Sequence, residues 1–160
     1  MLTVGALAAG FLAVGAAHAQ QQSPAASPPA YGAPVTTEQA KKAVAAALAE
    51  GKTRLVFAVV DPSGNLVYFE KMDGAPYASS EIAIRKARTS ATFKRPSMAF
   101  FEQMEGGHNY VMTLSPELIA SGGGLPLVVD GRIVGAIGVS GSPSGLLDQT
   151  AAEAAVNALK

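Results

Sequence analysis

Residues Gly122 to Gly141 (GGGLPLVVDGRIVGAIGVSG) restrict the fold of this 160-residue chain more than any other stretch. They read as a glycine loop, an apolar strand, a two-residue Asp130-Gly131 turn, a second apolar strand and the start of a second glycine loop. Asp-Gly between apolar runs is a strong hairpin signal, because a type I′ turn needs positive φ at both central residues. Seven of these twenty residues are Gly. Gly weakens a strand unless another backbone or a ligand must come close. The hairpin therefore needs a close neighbour on one side.

A second hairpin is expected earlier. The run from Arg54 to Asp61 is apolar on both faces, which marks a covered strand. Pro62 to Asn65 forms a turn, and Leu66 to Met72 returns. Helices are expected around these hairpins. Thr36 and Gln39 fit a capping box, and Ala40, Val44, Ala47 and Leu48 fall on one face up to Gly51. Ser79 or Ser80 caps a helix to about Phe93, with Ala83, Ala87 and Ser90 or Ala91 as a narrow small-residue face that can lie flat on a sheet. A short helix follows around Met98–Met104. Val111–Leu114 reads as a short strand or extended connection, and Ser115-Pro116-Glu117 opens a brief helical turn through Ala120. A closing helix runs from Asp148 to Leu159. Two hairpins flanked by separate helices define an α+β layered domain with an antiparallel sheet of four to five strands.

The length suits one domain. Met1–Ala19 reads as a secretory signal peptide: Met1 to Ala17 is uncharged and apolar, and Ala17-His18-Ala19 has the small-x-small pattern of a cleavage site. No Lys or Arg precedes the apolar run, so the true start is placed at Met1 or upstream of it. Cleavage leaves no membrane anchor and predicts a periplasmic or secreted chain. Residues 20–34, rich in Pro, Ser, Ala and Gln, are expected to form a mobile leader. The folded domain spans 35–160.

Composition excludes several chemistries. Basic and acidic residues number 12 each, so the chain has no general affinity for nucleic acid. Cys is absent, which removes disulfides, thiolate metal sites, iron–sulfur clusters and Cys nucleophiles. Without the signal peptide, which carries His18, His108 is the sole histidine, so a mononuclear metal centre has too few ligands. The G-x-S-x-G nucleophile elbow, the P-loop lysine and the dinucleotide fingerprint are all missing.

Three features remain as candidate sites. Ile82 to Phe101 carries Arg85, Lys86, Arg88, Lys94 and Arg95 without one acidic residue. Such a stretch is either a solvated helix face or a site for a small carboxylate or a tetrapyrrole's propionates. The loops Ser121–Gly124 and Ser140–Gly145 offer backbone N–H groups, the second at a helix N-terminus. His108, after two glycines, is a candidate iron ligand, and Tyr110, Met104 and Met112 nearby are also chemically able to bind haem iron.

The motifs Asp61-x-x-Gly64, Lys71-Met72-Asp73-Gly74-Ala75, Lys86-Ala87-x-Thr89-x-Ala91, Gly123-Gly124-x-Pro126 and Asp130 through Gly141 resemble those of the GlcG/HbpS family of haem-binding proteins. The resemblance covers about Val35 to Lys160. It differs at Lys71, where the family usually has Arg, and after Gly141, where Ser-Pro-Ser-Gly replaces a more Gly-rich loop. It implies a profilin-like α/β/α domain that forms symmetric homo-oligomers, from dimers to octamers. It also implies non-covalent haem binding, haem or iron handling in some members, and links to glycolate and diol metabolism in others. Lys86, Thr89 and the Gly123–Pro126 loop match family signature positions.

Two ligand readings follow, along with a purely structural one. In the first, the chain binds haem without strong catalysis: Arg85 to Arg95 hold propionates, and Met98, Phe100 and Phe101 line the ring. In the second, the chain is an enzyme or accessory protein for a small 2-hydroxy or 2-keto acid, with Lys86 on the carboxylate and the glycine loops, including Gly123 and Gly124, as oxyanion donors. In the third, the glycine hairpin is only a subunit interface.

Overall fold

The computed structural model describes residues 27–160; the expected signal peptide and the first part of the expected leader lie outside the described residues. The described chain runs α1 (Thr37–Glu50), β1 (Val56–Val60), β2 (Leu66–Lys71), α2 (Ala78–Phe93), α3 (Met98–Glu105), a 3-10 turn (Asn109–Thr113), β3 (Gly124–Val129), β4 (Arg132–Ser140) and α4 (Gly145–Asn157). The two expected hairpins, β1–β2 and β3–β4, join edge to edge. Their sheet is antiparallel throughout, in the order β2-β1-β4-β3.

The sheet separates two layers of helix. On one face, Phe57, Val59, Ile137 and Val139 pack against Ala43, Val44 and Ala47 of α1 and Ala151, Ala152 and Ala155 of α4. On the other, Val56, Ala58, Val60 and Ala136 meet Ala83, Ala87 and Ala91 of α2. This is the three-layer α/β/α arrangement that the family resemblance implies, and it agrees with the α+β layering read from the residues. A satellite cluster of Phe100, Val111 and Leu118, with Phe93 and Met104, seats α3 and the 3-10 turn.

Small residues set how closely the layers approach. A Cβ at Gly138 would overlap the Ala83 carbonyl of α2, and one at Gly135 would overlap the Val60 carbonyl of β1. The glycines of β4 therefore answer to helix-on-sheet and strand-on-strand packing within the domain. The hairpin turn has the expected geometry, with φ of 48° at Asp130 and 72° at Gly131.

Several local expectations differ from the structure. Helix α2 starts at Ala78 without a side-chain cap, and Ser79 is buried in its first turn. Val111–Leu114 is no strand, since its backbone coils with Asn109 and Tyr110 as 3-10 and buries Val111 under α3. Ser115 to Ala120 forms a turn and not a helix. Helix α4 begins three residues early, because Ser144 caps it by accepting from the Leu147 N–H. The leader is ordered where it meets the sheet. Gly32 N–H donates to the Ile133 carbonyl at 2.8 Å, Ile133 N–H to Ala30 at 2.9 Å, and Val35 N–H to Val134 at 2.7 Å. These bonds use the stretch of β4 that β1, ending opposite Ala136, leaves unpaired.

Candidate functional site

The two glycine loops meet. Gly122 abuts Gly145, and the methyl of Met98 closes against Gly122 from α3. Met98, Phe101, Ser121, Gly122, Ser144, Gly145 and Leu146 enclose an open groove of about 240 Å³. Its walls are mainly apolar. Met98 and Phe101 stand three residues apart and so project from the same side of α3. Phe101 is 44% exposed and Leu146 66% exposed, which is unusual for large apolar side chains unless something covers them.

Beneath the groove lies a buried ion pair. Lys86 Nζ donates to Asp148 Oδ2 at 2.8 Å and to the Val139 carbonyl at 3.0 Å. Asp148 Oδ1 accepts from the Ser142 N–H at 3.0 Å. Both side chains are at most 5% exposed. Burial pushes the Lys86 ammonium below its ordinary value, while its hydrogen bond and Coulomb attraction to Asp148 oppose the push. A Cβ at Gly123 would collide with Val139 O and with Asp148, and would lie 3.2 Å from Lys86 Nζ. Only glycine lets the loop pass over the pair.

The loop's own donors are in use. Gly123 N–H donates to Gln149 Oε1 at 2.9 Å, and Gly124 N–H to Ser97 Oγ at 2.9 Å. Ser97 Oγ in turn donates to the Ser121 carbonyl. These side chains fix the loop but leave neither amide for the oxyanion role expected of it. The Lys86 ammonium is likewise engaged, so a ligand carboxylate there would have to displace Asp148.

The other basic residues are also held by the fold. Arg85 donates to the Pro116 and Glu117 carbonyls at 2.8 and 3.1 Å. Arg88 donates to the Gly64 carbonyl at 3.1 Å and faces Glu117. Lys94 sits 4.1 Å above the Tyr31 ring, and the Arg95 guanidinium 4.0 Å above Phe100. Thr89 is buried and accepts from the Ile119 N–H at 3.1 Å. Phe100 is fully buried and so cannot line a ligand, whereas Met98 and Phe101 can.

His108 and Tyr110 lie elsewhere. Both are exposed, with their rings 6.1 Å apart edge to face, and neither lines the groove. Among the described residues, no cluster of three His, Cys, Asp or Glu could hold a metal ion. Asp148 and Ser97 were missed by sequence reasoning. The acid in the first turn of α4 was visible, but nothing in the sequence pairs it with a lysine 62 positions away.

Fold and groove together define a three-layer α/β/α domain whose two glycine loops, α3 and the start of α4 converge on one apolar mouth. Residues 35–157 match the family described as haem-degrading protein, HbpS-like, and the chain belongs to that family. It is 33% identical over 115 residues to an uncharacterised 15.0 kDa protein from the dhaT-dhaS intergenic region of Citrobacter freundii; the match covers 68% of this chain and 81% of that one. A crystal structure of a Streptomyces reticuli HbpS double mutant superposes with a TM-score of 0.73 at 31% identity, over 86% of this chain and 99% of that one. The crystal structure of a PduOC:haem complex superposes with a TM-score of 0.72 at 25% identity, over 79% and 96% of the two chains.

Proposed function

We propose that this domain binds haem non-covalently on the groove between Met98, Phe101 and Leu146. The observation that carries the proposal is the apolar groove itself, flanked by large side chains that the fold leaves exposed. A solved neighbour that is a haem complex supports it. The donor set suits the group: apolar walls contact the porphyrin face, and the narrow glycine floor allows a flat ligand to approach. Haem binding here is a storage or transfer role, without turnover by this chain's side chains.

The chain is also proposed to be exported, through residues 1–19, and to assemble with copies of itself. Self-association would cover Leu66, Phe69 and Tyr77, which are exposed at the outer edge of β2 and the start of α2. A small 2-hydroxy or 2-keto acid is the weaker alternative, since Lys86 and both loop amides already have partners.

The test is titration of the purified chain with hemin. A saturable change in the Soret band at about one equivalent is expected, and Leu146→Glu, at an exposed position that tolerates substitution, weakens it at least tenfold. A spectrum indistinguishable from free hemin overturns the reading. Unchanged affinity in Leu146→Glu moves the site away from the groove.

A further inference from the structure

We infer that the Met98 thioether is the protein ligand to haem iron in this groove, in place of His108. The inference rests on the groove as the haem site and adds the identity of the bond. Of the side chains that line the groove, Met98 alone carries a soft donor suited to haem iron. The others are a phenyl ring, an isobutyl group, two serine hydroxyls and two glycines. Ser144 Oγ is further committed to capping α4.

The remaining candidate ligands are placed elsewhere. His108 and Tyr110 stand on the exposed segment after α3 and do not reach the groove wall. Met104 packs in the Phe100 cluster. Met72 Sδ accepts from the Leu55 N–H on the α1 side of the sheet. Met112 lies in the exposed 3-10 turn and does not line the groove. Met98, by contrast, is half-buried at the first residue of α3, with its terminal methyl against Gly122. The preceding Ser97, fully buried and bonded to Gly124 and Ser121, fixes where that helix begins. The thioether is thus held at a set point in the wall, with Phe101 beside it to contact the porphyrin.

A thioether ligand has a distinct signature. It has no proton to gain near neutrality, whereas imidazole titrates there. Thioether ligation also raises the haem reduction potential. The hemin complex of the full chain is therefore expected to show the long-wavelength charge-transfer band of ferric iron bound to sulfur, unchanged through the histidine titration range. Met98→Leu, which conserves volume, should keep saturable hemin binding, lose that band and lower the potential. Met98→Gln, similar in length but without sulfur, should do the same, which separates ligation from packing. His108→Ala should leave both readouts unchanged. If the wild-type chain fails to bind hemin, the haem reading and this inference both fall. If hemin binds but both Met98 variants keep the wild-type spectrum and potential, or if His108→Ala removes the ligand band, the haem reading stands and Met98 is overturned as ligand.

Discussion

The Lys86 ammonium lies 2.8 Å from Asp148 Oδ2, and this contact joins helices from opposite layers of the domain. Lys86 comes from α2 and Asp148 from the first turn of α4. The ammonium also holds the Val139 carbonyl of β4, and the carboxylate holds Ser142. The pair therefore ties the Ser140–Gly145 loop to α2 and to β4, beneath the Gly123 loop.

Removing one partner should cost far more than removing both. Asp148→Leu strands a buried ammonium, and a loss of about 3–5 kcal/mol is expected from such a break. Lys86→Met combined with Asp148→Leu removes both charges and should recover most of that loss, because a buried ion pair is often close to neutral against apolar residues of similar volume. Urea unfolding of the two single variants and the double variant measures this as a coupling energy. Additive effects would show that the two groups act independently.

The same pair sets a pH dependence with a definite sign. Burial holds the folded pKa of Lys86 below its ordinary 10.5. Between the folded value and 10.5, the unfolded chain binds more protons at this site than the folded one. Stability contributed by this group therefore rises with pH across that alkaline window and is flat below it. Wild type minus Lys86→Met, followed by urea melts from neutral pH toward 10.5, should show the rise. A difference that falls with pH in this window would mean that the attraction of Asp148 outweighs desolvation.

Glycine substitutions should divide by what lies above them. Gly138→Ala pushes a methyl into the Ala83 carbonyl of α2, where backbone meets backbone and little can yield. Overpacking of this kind costs about 1–3 kcal/mol, and here the upper end or beyond is expected. Gly106→Ala is the control: its φ is −76° and the nearest atom to its added carbon is 3.4 Å away. That change should be neutral or stabilising by up to about 1 kcal/mol, through the unfolded chain. Thermal melts of the two variants decide whether approach distance or glycine's flexibility matters.

Both hairpins could be read from the sequence because their information is local. Asp130-Gly131 dictates its turn, and the all-apolar run of β1 dictates burial on both faces. The narrow alanine face of α2 likewise announced a helix laid flat on a sheet. What could not be read was long-range and polar. Five cations in twenty residues looked like a ligand surface, yet the fold gives each a partner: Arg85 two carbonyls, Lys86 a carboxylate, Arg88 a carbonyl and Glu117, Lys94 and Arg95 aromatic rings. Charge density along a helix does not show which charges tertiary contacts will consume. Val111–Leu114 failed for a different reason, since a run as short as Val-Met-Thr-Leu fits a strand and a tight turn equally well.

Tyr31 is the leader's anchor, and its removal should loosen one end of the sheet. Its hydroxyl donates to the Ala91 carbonyl at 2.6 Å near the end of α2, and its ring lies under Lys94, a left-handed residue with φ of 54°. The backbone on either side bonds Ile133. Tyr31→Phe deletes only the hydroxyl and should cost about 0.5–1.5 kcal/mol, the usual net value of one hydrogen bond. Tyr31→Ala also removes the ring from beneath the ammonium and should cost more, by the further 0.5–1 kcal/mol or so of an exposed cation–π contact plus the lost apolar burial. Hydrogen exchange localises the effect. Ile133 N–H, which donates to Ala30, should exchange faster in Tyr31→Ala, while Ile137 N–H in the middle of β4 keeps its wild-type rate. Equal acceleration at both amides would mean that the leader supports the whole domain and not its open end.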